Sequence, residues 1–103
     1  MLDALRQEQP NKPILISEFG SWCVRGLKTD YFPGEIYQAE LLKAYWEALA
    51  QQDQVIGGLV WCFVDTDVHR RFEWVYEYRC SYGVYDSNRN PKHAAQVLKG
   101  LWT

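Results

Sequence analysis

Glu18 is the side chain best placed to do chemistry. It closes the run Lys12-Pro13-Ile14-Leu15-Ile16-Ser17-Glu18-Phe19-Gly20, a short apolar strand that ends on a carboxylate, an aromatic ring and a glycine. In parallel sheets and barrels, chemistry sits at the C-terminal ends of strands, where rigid backbone holds side chains at the mouth of the crevice. A second apolar run, Leu59-Val60-Trp61-Cys62-Phe63-Val64, ends on Asp65, with Asp67 two residues further on. Glu18, Trp61, Asp65 and Asp67 together suit a sugar. A carboxylate attacks or stabilises an anomeric carbon, and an indole stacks on the apolar face of the ring. Glycoside hydrolysis takes two carboxyl groups, roughly 5–5.5 Å apart for retention of configuration and further apart for inversion. An ion-paired or capping carboxylate is the other reading of Glu18, and the strand pattern alone does not choose between them.

The elements that must position these residues follow from periodicity. Residues 2–9 read as the end of a helix, broken by Pro10-Asn11-Lys12-Pro13. Residues 14–18 form a strand that is largely apolar on both faces, the mark of a strand covered on both sides. Strict alternation puts Ile14, Ile16 and Glu18 on one face and Leu15 and Ser17 on the other. A long loop over residues 19–34 contains Gly20, Gly26 and Pro33-Gly34. From Glu35 to about Gln52 the period turns helical, with Ala39, Leu42, Trp46 and Leu49 as the inward stripe. Gly57-Gly58 opens the second strand, in which Leu59, Trp61, Phe63 and Asp65 share a face. The β-α-β order makes the two strands parallel, with a right-handed crossover. Residues 65–90 form a second long loop with an extended piece in Tyr82–Tyr85. Asn90-Pro91 then starts a helix, with Asn90 as cap, running to about Leu101 with Ala94, Val97, Leu98 and Leu101 inward. Two strands cannot satisfy the faces and edges of an open parallel sheet, so the chain reads as a slice of a larger α/β structure.

The bulk numbers bound what else the chain can be. At 103 residues it holds one modest core. Hydrophobic residues at 48% mark a packed chain. Aromatics reach 16%, with five Trp and seven Tyr, which serves either a core or a stacking surface. A net charge of −2 offers no basic field, so nucleic acid is not an expected partner. No apolar run approaches the ~18 residues of a membrane span, and no signal peptide is visible at Met1. Cys23, Cys62 and Cys80 are an odd set with no CxxC pair. That argues against a disulfide framework and for a reducing, cytoplasmic location.

Three motifs resemble the last quarter of a family two glycoside hydrolase catalytic domain, the group of β-galactosidases, β-glucuronidases and β-mannosidases. They are Pro13-Ile-Leu-Ile-Ser-Glu18-Phe-Gly20, then Gly57-Gly-Leu-Val-Trp61-Cys-Phe-Val-Asp65, then Tyr82-Gly-Val-Tyr-Asp86-Ser-Asn-Arg-Asn-Pro91-Lys92. Order and spacing both match, over nearly the whole chain. The resemblance implies a (β/α)8 barrel, with residues 1–103 as a partial domain carrying strands seven and eight and helices seven and eight. It implies a retaining double displacement with Glu18 as the nucleophile. Trp61 becomes an aromatic floor under the sugar, often followed by a cis peptide in related enzymes, and Asp65 and Asp67 become sugar contacts. It implies no cofactor. The general acid/base of such enzymes is a Glu after an Asn at the end of the fourth strand, which has no counterpart here. General acid–base help is typically worth about 10²–10⁴-fold, so the isolated segment is expected to be inactive or nearly so. Its partners are then the rest of the barrel and a carbohydrate substrate.

Other residues carry blander readings. His69-Arg70-Arg71 reads as a solvated basic triplet near Glu73 and Glu77. Trp74, Tyr76 and Tyr78, and with them Trp22 and Arg25, read equally as subsite walls or as loop packing. His69 and His93 are far apart and no Cys pair has ligand spacing, which argues against a zinc site. A Cys23–His69 nucleophile ranks lower still, and Cys62 reads as a core residue. The alternative to an enzyme segment is a non-catalytic α/β module that covers its strand edges with a second copy or a partner chain.

Overall fold

Strand β1 (Ile14–Phe19) lies parallel to strand β2 (Val55–Val60), and helix α2 (Glu35–Ala50) crosses between them. A short helix α1 (Leu2–Glu8) leads into β1. After β2, the two-residue strands β3 (Thr66–Asp67) and β4 (Arg79–Cys80) pair antiparallel, and helix α3 (His93–Trp102) ends the chain. This computed structural model describes residues 1–67 and 79–103. The basic triplet and the Trp74, Tyr76 and Tyr78 series lie outside the described residues, as do Glu73 and Glu77. Among the described residues, no helix is long and apolar enough to cross a membrane.

Both long helices form for the reason their period suggests. Ala39, Leu42 and Leu49 of α2 are buried, and Trp46 packs against them. On α3, Ala94 and Leu98 are buried while Val97 and Leu101 pack at the margin. The helices pack on each other, and α2 also meets β2. Phe19 and Val84 complete the core, and the Phe19 ring stacks on Trp46 at 6.2 Å between centroids. Each large apolar side chain taken fully out of water contributes about 1.5–3 kcal/mol.

The strands depart from simple alternation. Ile16 pairs with Gly58 and Phe19 with Val60, so β1 spends three residues where β2 spends two. Such a bulge turns the following side chains over. The covered face therefore reads Ile14, Ile16 and Phe19, and Glu18 joins Leu15 and Ser17 on the exposed set. A second irregularity lies between Ile14 and Leu15, opposite Val55 and Gly57. On β2 and just beyond, Ile56, Leu59, Trp61 and Phe63 are exposed. Among the described residues, α2 and α3 cover one face of the pair, and Leu15, Leu59 and Phe63 stay exposed, as a slice of a larger α/β structure leaves them.

Two boundaries also move. The second strand runs from Val55 to Val60, not from Leu59 to Val64, and Gly57-Gly58 lies inside it. A Cβ at Gly58 would stand 2.9 Å from the Phe19 ring and 3.5 Å from Trp46, so the glycine lets the aromatic pair close over the strand. The last helix is capped by Lys92 and begins at His93. Asn90 instead closes a turn onto Asp86: the Asn88 and Asn90 N–H groups donate to Asp86 Oδ1, each at 2.9 Å. The Asn90 side-chain amide donates to Asp86 Oδ2 at 3.1 Å. A local Asx turn outcompetes helix capping here. Tyr82–Tyr85 contributes only bridges, from Tyr85 to Val64 and to Pro91.

Candidate active site

Glu18 and Trp61 leave the ends of neighbouring strands on the same edge of the sheet. The Trp61 N–H donates to the Phe19 carbonyl at 2.8 Å, which extends the pairing one residue past β2. The Trp61–Cys62 peptide is cis. Glu18 is exposed, and Trp61 keeps about half its surface open at 49%. Leu59 and Phe63, on either side of Trp61 in the chain, are exposed as well. A cavity of about 440 Å³ lies between β1, the start of α1 and the last turns of α2, lined by Leu2, Ile16, Glu18, Phe19, Gly20 and Tyr45 among others.

Gly20 is required at this crossing. A Cβ there would stand 2.2 Å from the Trp61 carbonyl oxygen, so only glycine lets the chain leaving β1 pass the chain leaving β2. Gly83 has the same role one layer behind, where a Cβ would meet Asp65 N at 2.3 Å and Tyr85 O at 2.5 Å.

Asp65 does not share the face of Trp61 and Phe63. It is buried, whereas both of those side chains are exposed. Its Oδ1 accepts from Lys92 Nζ at 2.7 Å and from the Gly83 N–H at 2.9 Å. Burial pushes its carboxyl above the ordinary aspartate range, with Lys92 and the Gly83 N–H pulling the other way. Strand alternation fails here because the chain is no longer in a ladder after Val60, and the Lys92 ammonium draws the carboxylate inward. Asp67 lies in β3, paired with Arg79. Its side chain, like those of Arg79 and Cys80, is outside the described set. Among the candidate residues, the structure therefore sets Glu18 and Trp61 at the ends of neighbouring strands and buries Asp65 against Lys92.

The polar groups that hold this edge were not apparent from motif reading. Gln38 on α2 is fully buried. Its side-chain amide donates to the Ser21 carbonyl at 2.8 Å and to the Gly83 carbonyl at 3.3 Å, and its Oε1 accepts from Cys23 Sγ at 3.2 Å. Burial pushes the Cys23 thiol up to about 11, so it stays protonated and unreactive. His69, its conjectured partner, lies outside the described residues. Glu35 opens α2 and is also buried. Burial alone would raise its carboxyl, but the Gly26 N–H at 2.8 Å, the Lys28 ammonium and the His93 N–H hold it below the ordinary value of 4.5. The one signal in the sequence was the polar character of Glu35 and Gln38, at the first turn of a helix whose next turns bury apolar residues.

The chain resembles known proteins along its whole length. Residues 2–103 match the family described as glycosyl hydrolases family 2, TIM barrel domain. A β-glucuronidase of Paenibacillus borealis is 32% identical over 93 residues, which is 88% of this chain and 15% of that protein. The structure of a GH2 β-galacturonidase from Eisenbergiella tayi, bound to galacturonate, superposes with a TM-score of 0.86 at 30% identity. It covers 96% of this chain and 19% of that one. A Ruminococcus gnavus β-glucuronidase in complex with uronic isofagomine gives a TM-score of 0.89 at 29% identity, over 99% of this chain and 17% of that one. The chain thus spans less than a fifth of the length of each of these proteins.

Proposed function

The chain belongs to the TIM barrel domain of family 2 glycosyl hydrolases, and from that premise we propose that it supplies one wall of the active site of a retaining β-glycosidase. Residues 1–103 are then a partial domain, β1 and β2 are the seventh and eighth barrel strands, and α2 and α3 are the helices that follow them. The single observation that carries the reading is an exposed Glu18 and a half-open Trp61 at the ends of two parallel strands, joined there by the Phe19–Trp61 backbone bond.

In this reading Glu18 attacks the anomeric carbon of a β-glycoside. The bond to the leaving oxygen breaks, and that oxygen takes a proton from an acid/base group on another strand of the barrel. A glycosyl ester forms on Glu18. Water, deprotonated by the same group, then displaces the carboxylate and releases the sugar with its configuration retained. Trp61 lies under the ring. Asp67 keeps the reading of a sugar contact. Asp65 is better read as a support, because its charge is already met by Lys92. The rest of the barrel is the partner that covers Leu15, Leu59 and Phe63. A β-glycuronide is the first substrate to try, because the named relatives act on glucuronides or galacturonides.

The test uses the complete enzyme that contains this segment, assayed on aryl β-glucuronides and aryl β-galactosides. Glu18→Gln is expected to abolish turnover with little change in the melting midpoint. Retained turnover would sink the assignment. The exposure of Leu15, Leu59 and Phe63 also favours a second reading, a module that assembles with another chain. That reading expects a native polypeptide of about this chain's size in a discrete oligomer, whereas the enzyme reading expects a band several times larger.

A further inference from the structure

Lys92 is the wrong residue for the place it holds in the helix. It stands at the N-cap of α3 and makes no side-chain cap bond. That end of a helix is electropositive and favours Ser, Thr, Asp or Asn over a cation. The side chain is also 1% exposed, and a buried ammonium is costly unless fully met. Its donors are used elsewhere. Nζ donates to Asp65 Oδ1 at 2.7 Å and to the Ser81 carbonyl at 3.3 Å.

Both of those acceptors lead to the edge that carries Glu18 and Trp61. The Ser81 carbonyl also accepts the Cys23 N–H at 3.1 Å, from the loop that follows Glu18. Asp65 lies four residues after Trp61 and also accepts the Gly83 N–H. The Gly83 carbonyl, in turn, accepts from Gln38, whose amide also holds Ser21. Two buried bridges therefore run from the loop after β1 to Ser81 and Gly83 just after β4, and the Lys92–Asp65 pair joins them to the segment after Trp61.

A buried ion pair is weak evidence for stability, since apolar replacements often fold as well. Its value here is geometric. We propose that Lys92 and Asp65 are positioning residues, whose pair sets the separation between the loop after Glu18 and the segment after Trp61, and with it the gap a sugar ring enters. This rests on the reading of Glu18 and Trp61 given above. Neither Lys92 nor Asp65 touches the substrate.

The experiment compares Lys92→Met, Asp65→Asn and the double variant in the complete enzyme, with melting midpoints and kinetics on an aryl β-glucuronide. Lys92→Met leaves Asp65 charged and unpaired, so it lowers the midpoint. The double variant removes both charges and keeps an acceptor for the Gly83 N–H, so its midpoint returns toward the wild type. Its kcat/KM is expected to stay about 10- to 100-fold down, mostly in kcat, the scale of loss that an ångström of misplacement brings. A double variant with wild-type kinetics overturns the inference and leaves the proposed reaction standing. Should the double variant fail to fold, Lys92→Arg keeps the charge but lengthens the reach. Unchanged kinetics in that variant overturn the inference equally. A wild-type enzyme without turnover on any aryl β-glycoside overturns both the reaction and the positioning role.

Discussion

The backbone N–H of Trp61 donates to the carbonyl of Phe19 at 2.8 Å, so the residue after Glu18 is bonded directly to the aromatic side chain's own backbone. The crossing of these two chains is tight. Phe19 is simultaneously anchored in the core, stacked on Trp46 and set edge-on to Tyr45. Any shift of Trp61 is therefore felt at Glu18 through a single hydrogen bond whose other end is fixed by packing.

Gly20→Ala tests that crossing. The new methyl would stand 2.2 Å from the Trp61 carbonyl oxygen, and the obstacle is backbone, which cannot rotate away. Overpacking of this kind typically costs about 1–3 kcal/mol. The expected result in the complete enzyme is a lowered urea midpoint together with a fall in kcat/KM larger than the stability loss explains. Wild-type values for both would mean the two chains separate freely.

The helices offer a cleaner test of the core. Leu42 is 1% exposed and sits between Ala39 and Trp46 on the inward stripe of α2. Leu42→Ala removes three carbons and leaves a cavity, so a loss of about 2–5 kcal/mol is expected by chemical denaturation. A loss below about 1 kcal/mol would mean α2 is not packed as described.

This stripe was legible in the sequence because helical period is local: Ala39, Leu42, Trp46 and Leu49 report one face within four turns. The end of β2 was not, because Gly58 belongs inside the strand only once Phe19 and Trp46 lie over it. The bulge after Ile16 is likewise invisible to a period-two pattern, so Glu18 was placed with Ile14 and Ile16, and the fold places it with Leu15 and Ser17. Alternation sets Asp65 on the face of Trp61 and Phe63 because a local pattern does not see its partner, Lys92, 27 residues further along the chain. Asn90 looked like a cap because the competing acceptor, Asp86, is judged only when the turn is formed. Helical period and element order are legible in a single chain, whereas a bulge, a buried ion pair and a competing turn exist only once the strands pair or the turn closes.

Glu35 gives the acid limb of stability. Burial pushes its carboxyl up, but the Gly26 N–H, Lys28 and the His93 N–H outweigh that and lower it below 4.5. A lowered folded value means that the native state holds the ionised form more strongly than the unfolded chain does. Its stabilisation is complete above 4.5 and is lost as pH falls through the lower folded value. Asp86, lowered mainly by the Asn90 N–H, acts in the same direction. Asp65, raised by burial, acts in the opposite one. Glu35→Gln should therefore flatten, without abolishing, the fall in melting midpoint between about pH 6 and about pH 3. Equal slopes in variant and wild type would mean the Gly26 and Lys28 contacts do not hold the charge.

The nucleophile assignment has a chemical test that a structural role cannot imitate. Glu18→Ala in the complete enzyme removes the carboxylate and leaves space beside the anomeric carbon. With an aryl glycoside whose leaving group departs without protonation, a small anion such as azide can enter that space and attack from the side Glu18 used. One displacement then replaces two, so the product is a glycosyl azide of inverted, α configuration, and the phenolate leaves with its electron pair. The expected observation is an inactive variant whose phenolate release rises with azide concentration, with the α-azide identified by NMR. If Glu18 merely braces the end of β1, azide would leave the variant as slow as before, and no glycosyl azide would form.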